Sequence, residues 1–456
     1  MKRAALLLSV LVASPASGQS PAAPPAPPRL EVSYTQFTLA NGLNVILHED
    51  HSVPVVSVNV WYHVGSANER QGRTGFAHLF EHLMFMGSGH VAPGEFDAWL
   101  EGAGGNNNGS TSNDRTNYWI NVPSNALELA LFLESDRMGF LLDTMTPETV
   151  DAQRDVVKNE RRQSYENRPY GAADLALAEM LYPPGHPYHW PVIGYMDDLS
   201  AASYEDVVAF FRRYYAPANA SLVIAGDIDA ASARAAVEQW FADVAPGPTP
   251  EPMSLPGVAL TEVVRQTLTD RVQLPRVTLA WLTPAMLEPG DAALDVLADV
   301  LADGKNSRLY KRLVYDLQIA QSVEAYQDSG ALSSHFVIEA TARPGHTIEE
   351  IQRIVDEEVA TLQRDGPSDR EVQRAINQME ASFYGRMERV GGFGGKADQL
   401  NAYFSRTGDP DWFNEDLARY RALAPSDIRA AARAFLPPTR RVELVVVPAS
   451  EGGGRP

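Results

Sequence analysis

Pro147-Glu-Thr-Val-Asp-Ala-Gln153-Arg154 opens a helix that runs on past Glu160, and late in the chain the pattern returns. Pro367-Ser-Asp-Arg-Glu-Val-Gln373-Arg374 leads to Glu380 at the equivalent place. The echo extends outward from this pair. Tyr214-Tyr-Ala-Pro217 and Phe435-Leu-Pro-Pro438 each close a helix, and each precedes an apolar run, Ser221-Leu-Val-Ile-Ala225 and Glu443-Leu-Val-Val-Val447. Upstream, the alternating stretches Val55 to Val64 and Val277 to Trp281 read as strands, each followed by a helix. The chain is therefore expected to be a faint duplication. Strands and helices mix without strict βαβ alternation, which indicates the α+β class: two homologous α/β-sandwich halves, each a sheet with packed helices. Ala245-Pro-Gly-Pro-Thr-Pro-Glu-Pro252 reads as a stiff, exposed, Pro-rich linker. It divides the mature chain into residues 31–244, a linker at 245–256, and residues 257–450.

Composition bounds the function. With 456 residues and 45% apolar content, the chain can bury sizeable cores. It has no cysteine, so disulfides, thiolate metal sites, a cysteine nucleophile and a lipid anchor on an N-terminal cysteine are excluded. Lys2 and Arg3 precede an apolar run from Ala4 to Ala13, and the small residues Ala16 and Gly18 follow. Residues 1–18 thus read as a secretory signal peptide and residues 19–30 as a Pro/Ala-rich tether. The run is too short for a permanent bilayer span, and no transmembrane segment is expected elsewhere. The expected location is periplasmic or secreted. The net charge of −20 argues against nucleic acid as a partner. It fits basic peptides, or plain solubility, equally well.

The chemistry lies in His78-Leu-Phe-Glu81-His82. Positions i, i+3 and i+4 of an α-helix share a face, so two imidazoles can grip one metal ion with a carboxylate beside it. H-x-x-E-H is the zinc-peptidase helix read backwards. Such a pair of histidines also arises by chance on amphipathic helices. Here, however, the flanking run from Gly75 to Gly87 is otherwise apolar, and burying that face without a metal would strand three polar side chains. A catalytic zinc usually has three protein ligands and one open position. The third is expected to be a carboxylate, which composition alone does not single out among the chain's many acids.

From Phe37-Thr-Leu-Ala-Asn-Gly-Leu onward the mature chain resembles the pitrilysin and insulinase-like (inverzincin) metallopeptidases, which include the two-subunit mitochondrial processing peptidase. Several separate motifs occur in that family's order and spacing. The resemblance implies that His78, His82 and Glu160 hold one Zn²⁺ per chain and that Glu81 is the general base. It implies that Asn108 and Gly109, in Asn108-Gly-Ser-Thr-Ser-Asn-Asp-Arg-Thr-Asn117-Tyr118, contact substrate. Read from the residues alone, this segment is a glycine- and asparagine-rich turn leading into a strand, Asn117 to Val122. Many relatives carry a second glutamate two turns before the ligand glutamate; this chain has Gln153, expected to stand behind the ligands. The other histidines are expected in structural roles (His63, His90, His186, His189) or on the surface (His48, His51, His335, His346). Gly391-Gly-Phe-Gly-Gly395 lacks the lysine and context of a phosphate loop and reads as a flexible turn.

The resemblance also exposes a gap. Active relatives supply an arginine and a tyrosine seven positions apart from the second half, to bind substrate and stabilise the tetrahedral intermediate. Aligned on Leu313 and Ala320, these positions hold Val314 and Gln321. Arg312 and Tyr315 are each displaced by one residue, about 100° around an α-helix. The expectation is an exported zinc-dependent metalloendopeptidase acting on short or unfolded peptides. It would be one subunit of a heterodimer whose related partner supplies the Arg/Tyr pair, with a homodimer also conceivable. The alternative is a non-catalytic metal- or peptide-binding subunit of an envelope complex.

Overall fold

A computed structural model describes residues 29–449. The signal peptide expected at 1–18 and nearly all of the tether lie outside the described residues. Everything below belongs to the compact unit that begins at Val32.

The strands form two sheets. β1 (Thr35–Thr38), β2 (Asn44–Glu49), β3 (Val55–Tyr62), β4 (Asn106–Thr111), β5 (Thr116–Pro123) and β6 (Ala220–Gly226) make a six-stranded sheet ordered β1-β2-β6-β3-β5-β4. β7 (Val264–Asp270), β8 (Arg276–Thr283), β9 (Ala320–Asp328), β10 (Ser334–Ala342) and β11 (Val442–Pro448) make a five-stranded sheet ordered β7-β11-β8-β10-β9. Without β1 the two orders match strand for strand. β2 runs parallel to β6 as β7 runs parallel to β11. The remaining neighbours are antiparallel in both sheets. The duplication expected from the sequence is thus present in the topology, and the fold is α+β with two sheet-and-helix halves.

Both faces of both sheets are covered, which is why strands such as β6 are buried throughout and read as unbroken apolar runs. The Leu127–Phe140 and Ala230–Phe241 helices cover one face of the first sheet. The Asp291–Ala302, Ile348–Asp365 and Pro425–Phe435 helices cover one face of the second. The opposite faces are covered by exchange. Lys396–Thr407, from the second half, lies on β6, β3 and β2, while Gly171–Leu181, from the first, lies on β11, β7 and β8.

The two exchanged joints differ in chemistry. Leu181, Tyr182 and Tyr188 pack with Ala280, Val337, Val442 and Leu444 in an apolar contact. The Lys396–Thr407 joint is polar: the Asp398 carboxylate accepts from Trp61 Nε1 at 3.0 Å and Asn117 Nδ2 at 2.8 Å. Asn401 Nδ2 donates to Asn59 Oδ1 at 2.9 Å. The Gly391–Gly395 stretch is no loose turn. A Cβ on Gly391 would stand 2.0 Å from Asn121 Oδ1 and 2.4 Å from Ser57 Oγ, so only glycine permits this approach to the sheet. His48, expected on the surface, is instead buried in β2, its Nδ1 2.7 Å from Ser33 O. Burial lowers its pKa, against the pull of the Ser33 bond.

One buried ion pair underlies the first half. Arg137 and Glu134 are 1% and 0% exposed, and Arg137 Nε donates to Glu134 Oε2 at 2.8 Å. The guanidinium lies 4.3 Å from the ring centre of Tyr118 and 5.3 Å from that of Phe85, just beyond the histidine helix. Glu134→Leu alone leaves a buried, uncompensated cation and should destabilise the fold by about 3–5 kcal/mol. The double change Glu134→Leu with Arg137→Met should recover most of that. A denaturant-midpoint cycle over the four proteins measures the difference, and equal losses in the single and double variants would refute the pairing argument.

Candidate metal centre

His78, Glu81 and His82 lie on the Phe76–Leu83 helix. Gly75 caps it with φ +85°, where a Cβ would meet Ile193 O and Leu199 Cδ2 at 2.9 Å. The free N–H groups of the first turn are taken by a side chain that sequence reasoning missed. Glu69 accepts from Gly75 N at 2.9 Å and Ala77 N at 2.8 Å. Burial pushes the Glu69 carboxyl up to about 8, against the pull of these backbone donors. The orphan N–H groups of a helix start need acceptors, and Glu69 supplies both of its oxygens, so it fixes the entry of the histidine helix.

Glu160 comes from the Pro147–Arg161 helix, which begins with Thr146 accepting from Thr149 N and Pro147 in the first turn. Beyond it, Arg162–Glu166 forms a π-helical turn. Glu160 Oε2 stands 3.1 Å from His82 Nε2, and Oε1 stands 3.7 Å from His78 Nε2. Its neighbours on the helix do not claim it, since Arg161 pairs with Glu166 and Arg162 with Asn159. The three side chains offer ligand atoms all within 4.8 Å of one another, the one such group among the described residues. Ligand atoms around a tetrahedral zinc stand about 3.4 Å apart, given bonds of about 2.0–2.2 Å. The set therefore fits a divalent ion. Burial pushes His78 down to about 4, so its imidazole is neutral at physiological pH, the form that binds metal. The hydrogen bond with His82 holds Glu160 below the ordinary carboxylate range.

Glu81 stands beside this group. Thr111 Oγ1 donates to its Oε2 at 2.7 Å, a contact the sequence did not announce. Burial raises the Glu81 carboxyl, with the Thr111 bond and the His82 charge pulling the other way. Asn108 and Gly109 lie on β4, so this part of the expected turn is a strand, and β4 is the edge of its sheet. A Cβ on Gly109 would come within 3.1 Å of Glu81 Cγ, so the glycine keeps the space beside the carboxylate clear. Asn108 Oδ1 accepts from Gly109 N at 2.8 Å. Gln153 donates to Met86 Sδ, one turn beyond His82, and forms no hydrogen bond with the three candidate ligands. His78 Nδ1 is buried without a partner.

The other histidines stand apart from this cluster. His90 pairs with Asp136, His186 stacks on Tyr182, and His63 Nδ1 lies 3.0 Å from Ser405 Oγ. In the second half, Tyr310–Asp316 is π-helical, so α-helical rotation per residue does not apply there. Arg312 is tied to Glu357 and Glu358, Val314 packs against the second core, and Tyr315 is 72% exposed.

Comparison with known proteins identifies the family. The family described as "Insulinase (Peptidase family M16)" matches residues 44–182, which hold all three candidate ligands, and "Peptidase M16 inactive domain" matches residues 201–379. The chain belongs to the insulinase-like M16 peptidases. Within this family it is 29% identical over 424 residues to the zinc protease PqqE of Helicobacter pylori, covering 91% of this chain and 93% of that one. The crystal structure of a Helicobacter pylori protease matches with a TM-score of 0.84 and 26% identity, covering 92% of this chain and 100% of that one. The periplasmic protease PqqL of Escherichia coli shares the M16 fold, with a TM-score of 0.76 at 18% identity; 92% of this chain aligns with 48% of that one. Among the described residues no helix is long and apolar enough to cross a membrane.

Proposed function

We propose that the chain is the metal-bearing subunit of an exported zinc metalloendopeptidase. The observation that carries this reading is Glu81, held by Thr111 beside three side chains that converge on one point. One Zn²⁺ bound by His78, His82 and Glu160 would supply Lewis acidity toward water and the scissile carbonyl. The chain's own residues do the rest. With Oε2 fixed by Thr111, Glu81 offers Oε1 to take a proton from the attacking water and return it to the leaving amine. The free edge of β4 offers backbone groups at Asn108 and Gly109 to an extended peptide. Such pairing reads conformation more than sequence, in keeping with short or unfolded substrates.

Val314 and Gln321 leave this chain without the Arg/Tyr pair that the family resemblance leads one to expect. A second copy would lack it equally, so the reading favours a heterodimer over a homodimer. The fold likeness to a chain about twice as long, PqqL, is compatible with a site assembled from two such bodies. Export rests on the leader at residues 1–18, and the division at residues 245–256 rests on the Pro-rich linker.

The test is metal analysis with peptide cleavage on the purified chain. About one Zn²⁺ per chain is expected, and His82→Ala should lose it, because two remaining ligands bind poorly. A Glu160→Gln protein that keeps full zinc would refute the ligand assignment.

A further inference from the structure

Beside the metal centre lies a cavity of about 1310 Å³, walled by both halves. Its lining carries eight carboxylates and five guanidiniums, and the pairing among them is incomplete. Arg168 pairs with Asp174, and Arg419 with Asp291 and Asp416. Three other guanidiniums line the same space without a carboxylate partner among the described residues. Arg406, near the end of the Lys396–Thr407 helix, and Arg386, near the end of the Asp369–Met387 helix, donate no hydrogen bond. Arg115, at the β4–β5 turn, gives Nη1 to Ser110 O at 2.9 Å and lies over the Trp61 ring. Their nitrogens are not sealed away. Arg406 is solvent-exposed, and desolvation by the surrounding protein holds its guanidinium below the ordinary range.

The carboxylates around them already accept from other donors. Asp398 takes Asn59, Trp61 and Asn117 on one oxygen and Gly394 N on the other. Asp416 takes Tyr403 and Arg419. Asp114 takes Tyr188 and the Ala331 N–H. The chain has 58 acidic against 38 basic residues, so unpaired cations here do not reflect a shortage of acids. Arg115 feels the attraction of Asp398 and, more weakly, the repulsion of Arg406. The wall begins close to the base: Arg115 donates to Ser110 O, and the next residue, Thr111, holds Glu81.

We infer that Arg115, Arg386 and Arg406 form a subsite for a carboxylate of the peptide substrate. The inference rests on the peptidase reading and gives it a substrate class: peptides whose C-terminal carboxylate, or a Glu or Asp side chain, reaches this wall. Guanidiniums suit this task because their planar donors match a carboxylate's two oxygens. The whole-chain charge of −20 gives no hint of such a preference.

The test is fluorescence anisotropy with the full-length, zinc-loaded Glu81→Gln protein and one labelled peptide in four forms. These are the free acid and the C-terminal amide, each with Glu or Gln at an internal position. Loss of the recognised carboxylate should weaken binding by at least about tenfold, and the arm that responds identifies its source. Arg386→Gln with Arg406→Gln should erase the difference, Arg406→Lys should retain part of it, and in the parent protein it should shrink as salt is raised. Equal affinity for all four forms, no binding by any, or a difference that survives the double glutamine variant overturns the inference. Cleavage by the wild-type protein is read separately. Peptides discriminated but never cleaved would sink the peptidase reading alone; peptides cleaved without discrimination would sink the carboxylate subsite alone.

Discussion

Glu81→Gln should keep its full metal content and lose peptide hydrolysis by about 10²–10⁴-fold, the span general-base catalysis contributes. The substitution is nearly isosteric. Its amide oxygen can still accept from Thr111, so the side chain should remain where Glu81 now lies. What disappears is the group that can take a proton. The same reasoning separates Glu81 from its neighbours one helical step away. His82 and His78 converge on Glu160, whereas Glu81 points to the edge strand. Metal analysis and a single-turnover cleavage assay on the same preparation decide the point. An empty Glu81→Gln protein, or one with undiminished turnover, would show that the base has been misassigned.

The isolated chain should bind zinc yet cleave peptides slowly, and a related subunit carrying the missing arginine and tyrosine should raise its rate by about 10²–10³-fold, the effect of one oxyanion donor. The second half cannot fill the gap by a small adjustment. Arg312 is held by Glu357 and Glu358, and Val314 faces the core of its own half. Gln321 is exposed at the start of β9, and neither Val314 nor Gln321 lines the cavity beside the metal centre. Co-expression with such a subunit, followed by light scattering and an activity assay at one concentration, tests this. Full activity in a monodisperse monomer would mean that other side chains of this chain stabilise the transition state.

Much of this architecture is legible in the sequence because it is written in local patterns. The helix that starts at Pro147 and the one that starts two residues after Pro367 repeat between the halves, and the apolar runs of β6 and β11 take equivalent places in two sheets of matching order. His78 and His82 are legible because i, i+4 spacing fixes a shared helix face. Glu160 is not legible from the residues alone, since its approach depends on two helices meeting. Thr111 and Glu69 escaped for the same reason. β4 escaped because Asn106-Asn-Asn-Gly-Ser-Thr111 has almost no strand-forming residues; its register with β5, not its propensity, makes it a strand. The exchange of helices was the largest surprise. The Lys396–Thr407 helix buries Asp398 and Asn401, residues a hydrophobic pattern assigns to solvent, against a polar patch of the other half's sheet.

That exchange has a consequence for how the protein comes into being. A ribosome that has finished β6 has made every strand of the first sheet, but not the helix that shelters Asn59 and Ser221. That cover is not made until Thr407, and the last strand of the second sheet, β11, emerges later still. The first sheet must therefore wait, with one face wet, for a segment near the far end of the chain. Contacts of such long sequence separation form slowly. A polypeptide that cannot complete its first half early stays loose while it is being made, the condition a chain needs if it is to be threaded across a membrane before it closes.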